Sequence, residues 1–151
     1  MTEKALKVNA NNFKMLENAA VFDQMDGNFE IAQTKLQKCY EATKQSKYQY
    51  KLAENYAQMT QYKSSDSMLN LILAQDSSKN MMMEEAPRVE GGVQSVRLLA
   101  KVYLLKAKIA SLVLGPKDPR VPKFQKEYVN LSLSIQPDYE EALYIKQQNK
   151  L

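Results

Sequence analysis

Cys39 is the only thiol in the 151-residue chain, and the sequence holds no histidine that could activate it. A reactive cysteine needs a base or a positive neighbour to lower its pKa. Cys39 instead shares one helical face with Phe29, Ala32, Leu36 and Tyr40, so a buried, inert side chain is expected. The absence of histidine removes every mechanism built on an imidazole base, acid or ligand. A single cysteine excludes an intrachain disulfide and a multi-cysteine zinc site. The run Asp23–Glu30 has the acidic, glycine-bearing look of a calcium loop. Counting from Gly27, however, puts Phe22 and Gln24 at two required ligand positions and Gln33 where a bidentate glutamate belongs. It reads as a turn between helices. The neighbouring pairs Glu84-Glu85 and Glu140-Glu141 point to different helix faces and suit solvated positions or helix N-termini better than an acid–base couple. No phosphate-binding glycine loop, dinucleotide fingerprint or metalloprotease motif is present. The chain is expected to be no enzyme and to need no cofactor or metal.

Charge is distributed more tellingly. Residues 91–127 carry Arg97, Lys101, Lys106, Lys108, Lys117, Arg120, Lys123 and Lys126 against Asp118 and Glu127. The whole chain is only +4, so the remainder is slightly acidic. A basic segment of this kind fits an acidic partner or a phosphate backbone, although the aromatic residues are not clustered among its charges as a single-strand stacking platform needs.

Elements that could position such residues follow from punctuation and periodicity. Hydrophobic residues make up 44% of the chain, enough for one ordinary domain without a disulfide or metal staple. Helical spacing predicts a first helix over Phe13–Met25 and a second carrying Phe29 to Tyr40. A third carries Leu52, Ala53, Tyr56 and Met59, and a fourth Met68, Leu69, Ile72 and Leu73. Asp76–Asn80 ends the fourth helix. Met81–Ala86 is expected to form a short helix limited by Pro87 and Gly91-Gly92, and a long fifth helix is expected from Val93 to Leu114. Gly115–Pro122 holds three of the five prolines and reads as a loop. A sixth helix carries Phe124, Tyr128, Leu131 and Ile135, and a last one begins near Tyr139. No stretch approaches the roughly 20 apolar residues of a membrane span; the most apolar, Val102–Leu114, is interrupted by Lys106 and Lys108. No apolar run at the N-terminus suggests a signal peptide, which makes the cytoplasm the expected compartment.

Paired helices call for a search for repeats. Gly27, Phe29, Ala32 and Leu36 align with Thr60, Tyr62, Ser65 and Leu69, each 33 residues on. Leu52-Ala53-x-x-Tyr56 returns as Leu99-Ala100-x-x-Tyr103. Ile135–Leu143 reads as one helix ending at Pro137 and another starting. With these motifs the chain resembles the tetratricopeptide repeat family, whose helix–turn–helix units of roughly 34 residues carry this order of small, aromatic and turn residues. The resemblance implies an all-α fold, a right-handed superhelical stack of antiparallel helix pairs. It implies one domain with units near 11–44, 46–78 and 93–138, and partial helices at 1–8 and 139–151. Ala5-Leu6 with Asn9–Asn12 resembles the end of a preceding repeat and Tyr139–Leu151 the start of a following one, so either a fragment of a longer array or a short protein with trimmed caps is expected. The third unit departs from the pattern through its extended first helix and proline-rich turn, and the first through Ala19-Ala20 and Asp23.

What the resemblance implies about function is a binding scaffold whose concave groove is lined by the first helix of each pair. Carried over by register, the groove positions are Lys14, Glu17, Asn18 and Val21, then Lys47, Tyr50, Lys51 and Glu54, then Gln94, Arg97 and Lys101. They would take a protein or peptide partner, extended or helical. The alternative is binding of nucleic acid or another anionic partner through 91–127. The residues by which one subgroup of the family clamps a chaperone's C-terminal carboxylate are replaced here by Glu17, Val21, Lys51, Gln94 and Leu98, so chaperone-tail capture is not expected.

Overall fold

The structure, a computed structural model, describes residues 11–75 and 81–151, with Asn11 and Asn12 described in backbone alone. The expectations for the first ten residues and for the Asp76–Asn80 break lie outside the described residues. Within them the elements run α1 (Asn11–Met25), α2 (Phe29–Thr43), α3 (Ser46–Gln58), α4 (Tyr62–Leu73), β1 (Met83–Pro87), β2 (Val93–Arg97), α5 (Leu98–Leu114), α6 (Val121–Ile135) and α7 (Glu140–Gln148). The protein is thus mostly helical, and none of the described helices is long and apolar enough to cross a membrane. Two compact units are present, one ending at Ser65 and one running from Asp66 to Leu151.

In the first unit α1 packs on α2 and α2 on α3. The turns that follow α1 and α3 are the same turn. Gly27 and Thr60 both take left-handed backbone, at φ +80° and +60°. Asn28 N–H donates to Asp23 O at 2.7 Å, and Gln61 N–H donates to Tyr56 O at 2.9 Å. Gly27 N–H bonds Gln24 O as Thr60 N–H bonds Ala57 O, and Ala32 N–H bonds Asn28 O as Ser65 N–H bonds Gln61 O. Every member of these pairs is 33 residues from its counterpart, so the offset read in the sequence recurs bond for bond. Glycine takes this conformation without strain, whereas a β-branched threonine does so at a cost.

Small residues recur where helices meet. Ala20 and Ala32, Ala53 and Ser65, and Ala100 and Ser132 are all fully buried. Ser65 Oγ donates to Ala53 O and Ser132 Oγ to Ala100 O, both at 2.7 Å. A residue larger than serine at these points would hold the helices apart, and a buried hydroxyl without this acceptor would be costly.

In the second unit α5 packs on α6 and α6 on α7. The mostly helical architecture expected from the sequence holds, with one small two-stranded sheet added here. Met83–Pro87 and Val93–Arg97 form an antiparallel hairpin in which Glu84 faces Val96 and Ala86 faces Gln94. The helix expected over Met81–Ala86 is therefore absent, and the helix expected from Val93 starts at Leu98. The physical reason is period-two burial: Gln94 and Val96 are buried while Val93, Ser95 and Arg97 are exposed. Gly91 and Gly92, at φ +105° and +79°, supply the reversal. Ala86 and Val96 join the core of Ala100, Leu104, Ala107, Val129, Tyr139 and Ala142. The ribbon's edges are closed by side chains. On β1, Lys101 Nζ donates to Glu85 O (2.8 Å) and Pro87 has no N–H to offer; on β2, Gln136 Oε1 accepts from Arg97 N–H.

Gly115–Arg120 is an ordered series of turns, with Asp118 N–H on Gly115 O and Val121 N–H on Asp118 O. Asp118 also accepts from the backbone and guanidinium of Arg120, which hold its carboxyl down at about 2. Helix α6 begins at Val121, with Pro122 in its first turn, where a missing N–H costs nothing.

Lys106, one of the two lysines interrupting the apolar run of α5, is only 6% exposed. Its ammonium donates to Asp66 Oδ1 at 2.8 Å and Asn70 Oδ1 at 2.6 Å and lies 5.3 Å from the centroid of the Tyr128 ring. Tyr128 stacks between Tyr103 and Phe124.

Candidate interaction surface

Helices α1 and α3 carry eight of the eleven groove positions, and the structure gathers six of them into two adjoining features. The first is a charge cluster. Glu17 is 5% exposed; its Oε2 accepts from Lys14 Nζ at 3.0 Å, and Lys47 Nζ stands 3.9 Å from Oε1. Burial pushes the carboxyl up. The hydrogen bond from Lys14 and the charges of Lys51, Lys47 and Lys14 overcome that and hold it below its ordinary value. Glu17 Oε1 has no hydrogen-bond donor, and Lys51 has no ion-pair partner among the described residues. Lys14 and Lys47 thus stand beside one buried carboxylate, and the charge of Lys51 acts on it as well.

Cys39 of α2 lies beneath this cluster. It is fully buried and its Sγ sits 3.7 Å from Phe13 O. Burial and the charge of Glu17 push the thiol up to about 11, partly offset by Lys47. The thiolate is negligible at neutral pH, which makes Cys39 a packing residue.

The second feature is a cleft of about 300 Å³ lined by Val21, Gln24 and Met25 of α1, Phe29 of α2, and Glu54 and Gln58 of α3. Val21 is 43% exposed and Met25 75%. A further cleft of about 440 Å³ surrounds the two equivalent turns, with Phe29 shared between them and Ile31 and Met59 adding apolar wall. The lining is held by Asn55, which is fully buried. Its Oδ1 accepts from Gln24 Nε2 (2.9 Å), and its Nδ2 donates to Phe29 O and Gln33 Oε1 (both 2.8 Å). One amide thereby ties α1, the start of α2 and α3 together at the cleft, and a fully satisfied buried amide is a rigid anchor.

Of the remaining groove positions, Asn18 is exposed on α1 and Tyr50 is buried at 6% exposure. Gln94 and Arg97 are corrected. They lie on β2, not on a first helix, and serve the protein's own fold. Gln94 Nε2 donates to Asp138 O and its Oε1 accepts from Glu140 N–H, while Arg97 Nη1 donates to Ile135 O. Lys101 lies on α5 and is engaged by Glu85 O. Gln24, Met25, Phe29, Asn55 and Gln58 were missed by register. The available signal was Asn55, a polar residue three after Leu52 on the packing face.

The basic segment is largely spent on internal contacts. Arg97 and Lys101 bond backbone carbonyls, Lys106 bonds Asp66, Lys108 pairs with Glu141 and Arg120 with Asp118. Lys117, Lys123 and Lys126 are the exposed remainder. Glu140 and Glu141 occupy the first turn of α7, favourably placed toward its dipole, and Glu140 also pairs with Arg88. Compared with known proteins, the chain matches no family model and no curated protein.

Proposed function

We propose that the chain is a non-catalytic interaction module of tetratricopeptide type, a right-handed superhelical stack of helix pairs, that takes a peptide or partner helix along the α1/α3 face. The observation that carries this reading is the surface cleft in which exposed Val21 and Met25 and half-buried Phe29 stand with Gln24, Glu54 and Gln58, anchored by the Asn55 amide on the face that also carries Lys14, Lys47 and Lys51. A cleft that combines apolar side chains with polar and charged ones is a form that peptide-recognition grooves take. The tetratricopeptide reading is supported by the 33-residue recurrence of the turn bonds and by small residues at each helix crossing. No observation favours the alternative of nucleic-acid binding through 91–127, because five of its eight cations are engaged by the protein itself. The compartment we propose is the cytoplasm, which fractionation of the source cells checks.

A position-resolved crosslinking experiment tests the function. Photoreactive p-benzoylphenylalanine is placed at Val21, Met25 or Gln58, and at Glu41 on α2 as the off-face position, in the full chain exposed to source-cell extract. Crosslinks to one protein from all three cleft positions, absent from Glu41, are expected. Equal crosslinking from Glu41, or none from the cleft, would refute the proposal.

A further inference from the structure

We infer that the side of α7 carrying Leu143 and Lys146 is a docking site for an amphipathic helix of a partner protein, which lies on α7 as α2 lies on α1. The inference rests on the recurrence of helix pairs and uses none of the residues of the α1/α3 face. It starts from a turn. Asn149 N–H donates to Ile145 O, Lys150 N–H to Gln147 O and Leu151 N–H to Lys146 O. Asp26, Gly27 and Asn28 make the same three spans after α1, and Met59, Thr60 and Gln61 make them after α3. Lys150 is left-handed at φ +54°, like Gly27 and Thr60. Helix α7 thus ends as the first helix of a pair ends.

Counted back from that turn, Leu143 holds the place of Ala20 and Ala53, seven residues before the left-handed residue in each case. Ala20 and Ala53 are fully buried. The helix after the turn packs there: α2 lies on α1, and Ser65 of α4 donates to Ala53 O. Leu143 is instead 45% exposed, and its neighbour Tyr144 is 47% exposed. In a repeat array the sides left to water are polar, so these two large side chains form a packing face.

The chemistry of the occupant follows from the same register. Asp23, four residues before Gly27, pairs with Lys35 of α2, three residues after Ala32. Its counterpart on α7 is Lys146, of opposite charge. Lys146 Nζ donates to the neutral Asn130 Oδ1 at 3.0 Å and has no ion pair among the described residues. The two acids of α7, Glu140 and Glu141, are taken by Arg88 and Lys108. An acid on the incoming helix is the complement of Lys146. One residue beyond Lys35 and Met68, Leu36 and Leu69 are buried, so a leucine is expected next. The incoming helix therefore shows Gly or Ala, an Asp or Glu three residues on, and Leu four residues on. A small residue is needed because Leu143 fills space that two small residues share at the other crossings, and the wider separation suits a reversible contact. No second copy of this chain supplies the pattern. Lys35, Met68 and Ile135 stand at the acid position of its second helices, and no Asp-Leu or Glu-Leu step occurs in its sequence.

The test is a selection of displayed amphipathic helices on the intact 151-residue chain. Enrichment of Gly or Ala followed at the third and fourth positions by an acid and Leu is expected. For a helix so selected, Leu143→Asp should weaken binding about tenfold or more, and Val21→Asp in the α1/α3 cleft should leave it unchanged. Lys146→Glu should weaken binding severalfold. Replacing the helix's acid by Lys should restore binding to that variant and not to the parent, an exchange that a misfolded protein cannot produce. Selected helices without the acid, or indifferent to Lys146→Glu, would overturn the inference. So would light scattering that shows self-association of the parent abolished by Leu143→Asp, because a second copy would then be the occupant. Helices that keep binding Leu143→Asp and are lost with Val21→Asp would overturn it and leave the peptide-binding reading standing. No enriched helix would overturn it as well, while crosslinking from the cleft judges that other reading separately.

Discussion

Asp66 and Lys106 make a pair whose two halves should not be equal under mutation. Asp66→Ala removes the one anion paired, among the described residues, with a lysine ammonium that is 6% exposed and leaves it Asn70 Oδ1 and the Tyr128 ring. A buried charge stripped of its partner costs about 3 kcal/mol. Lys106→Met keeps the aliphatic stem and its volume and removes the charge. The carboxylate left behind is 28% exposed and can return to water, so the cost falls to about 1 kcal/mol. With both changes no ion remains unpaired, and the double variant should lose about 2 kcal/mol less than the sum of the singles. Urea unfolding of the full chain, followed by circular dichroism, measures all three. At about 1.4 kcal/mol per tenfold, the two singles should differ more than tenfold in unfolding equilibrium constant. Equal losses, a larger loss from Lys106→Met, or strict additivity would refute the view of Lys106 as a desolvated cation held by Asp66.

Thr60→Gly should stabilise the protein by about 1 kcal/mol and Gly27→Ala should destabilise it by a similar amount, because both positions hold left-handed backbone; thermal melting reads both signs. Asn55→Ala should cost about 2–3 kcal/mol and increase hydrogen exchange at the start of α2, since it releases Gln24, Gln33 and the Phe29 carbonyl together. The carboxyl of Glu17 is held low in the fold. Its contribution to stability is therefore present above its unfolded value and lost as pH falls through the folded one, and Glu17→Gln should flatten the acid limb of stability against pH. The thiol of Cys39 is raised to about 11 from 9.0, so on the order of 2 kcal/mol is lost as pH rises across that interval and the unfolded chain ionises first. The parent should show this alkaline decline more steeply than Cys39→Ala, and alkylation of Cys39 at neutral pH should be slow until the protein unfolds.

The turn at Gly27 and its counterpart at Thr60 were legible because a reversal between helices demands a particular backbone, and the flanking aromatic and small residues repeat at the same interval. The hairpin was not. Met, Glu and Ala in 81–86 suit a helix, each strand is five residues long, and Val93–Arg97 runs directly into α5. The Gly91-Gly92 pair between two short alternating runs was the one local sign. The α1/α3 face was half legible. Register named Val21 and Glu54, which line the cleft, and Lys14, Glu17 and Lys47, which lie together, only as groove positions; it counted buried Tyr50 among them and passed over Met25 and Phe29. Burial of Lys106 could not be read locally at all, because its two oxygen partners lie 40 and 36 residues away.

The serine clasps carry a consequence for the order in which the chain organises itself. Ser65 closes a loop of 12 residues onto Ala53, whereas Ser132 closes one of 32 residues onto Ala100. The nearly threefold longer loop costs about 0.9 kcal/mol more in chain entropy before its contact is made. In a refolding chain the α3–α4 corner can therefore nucleate ahead of the α5–α6 corner. The latter must first draw in its long helix and the turns after Gly115, which makes it the slower corner to close.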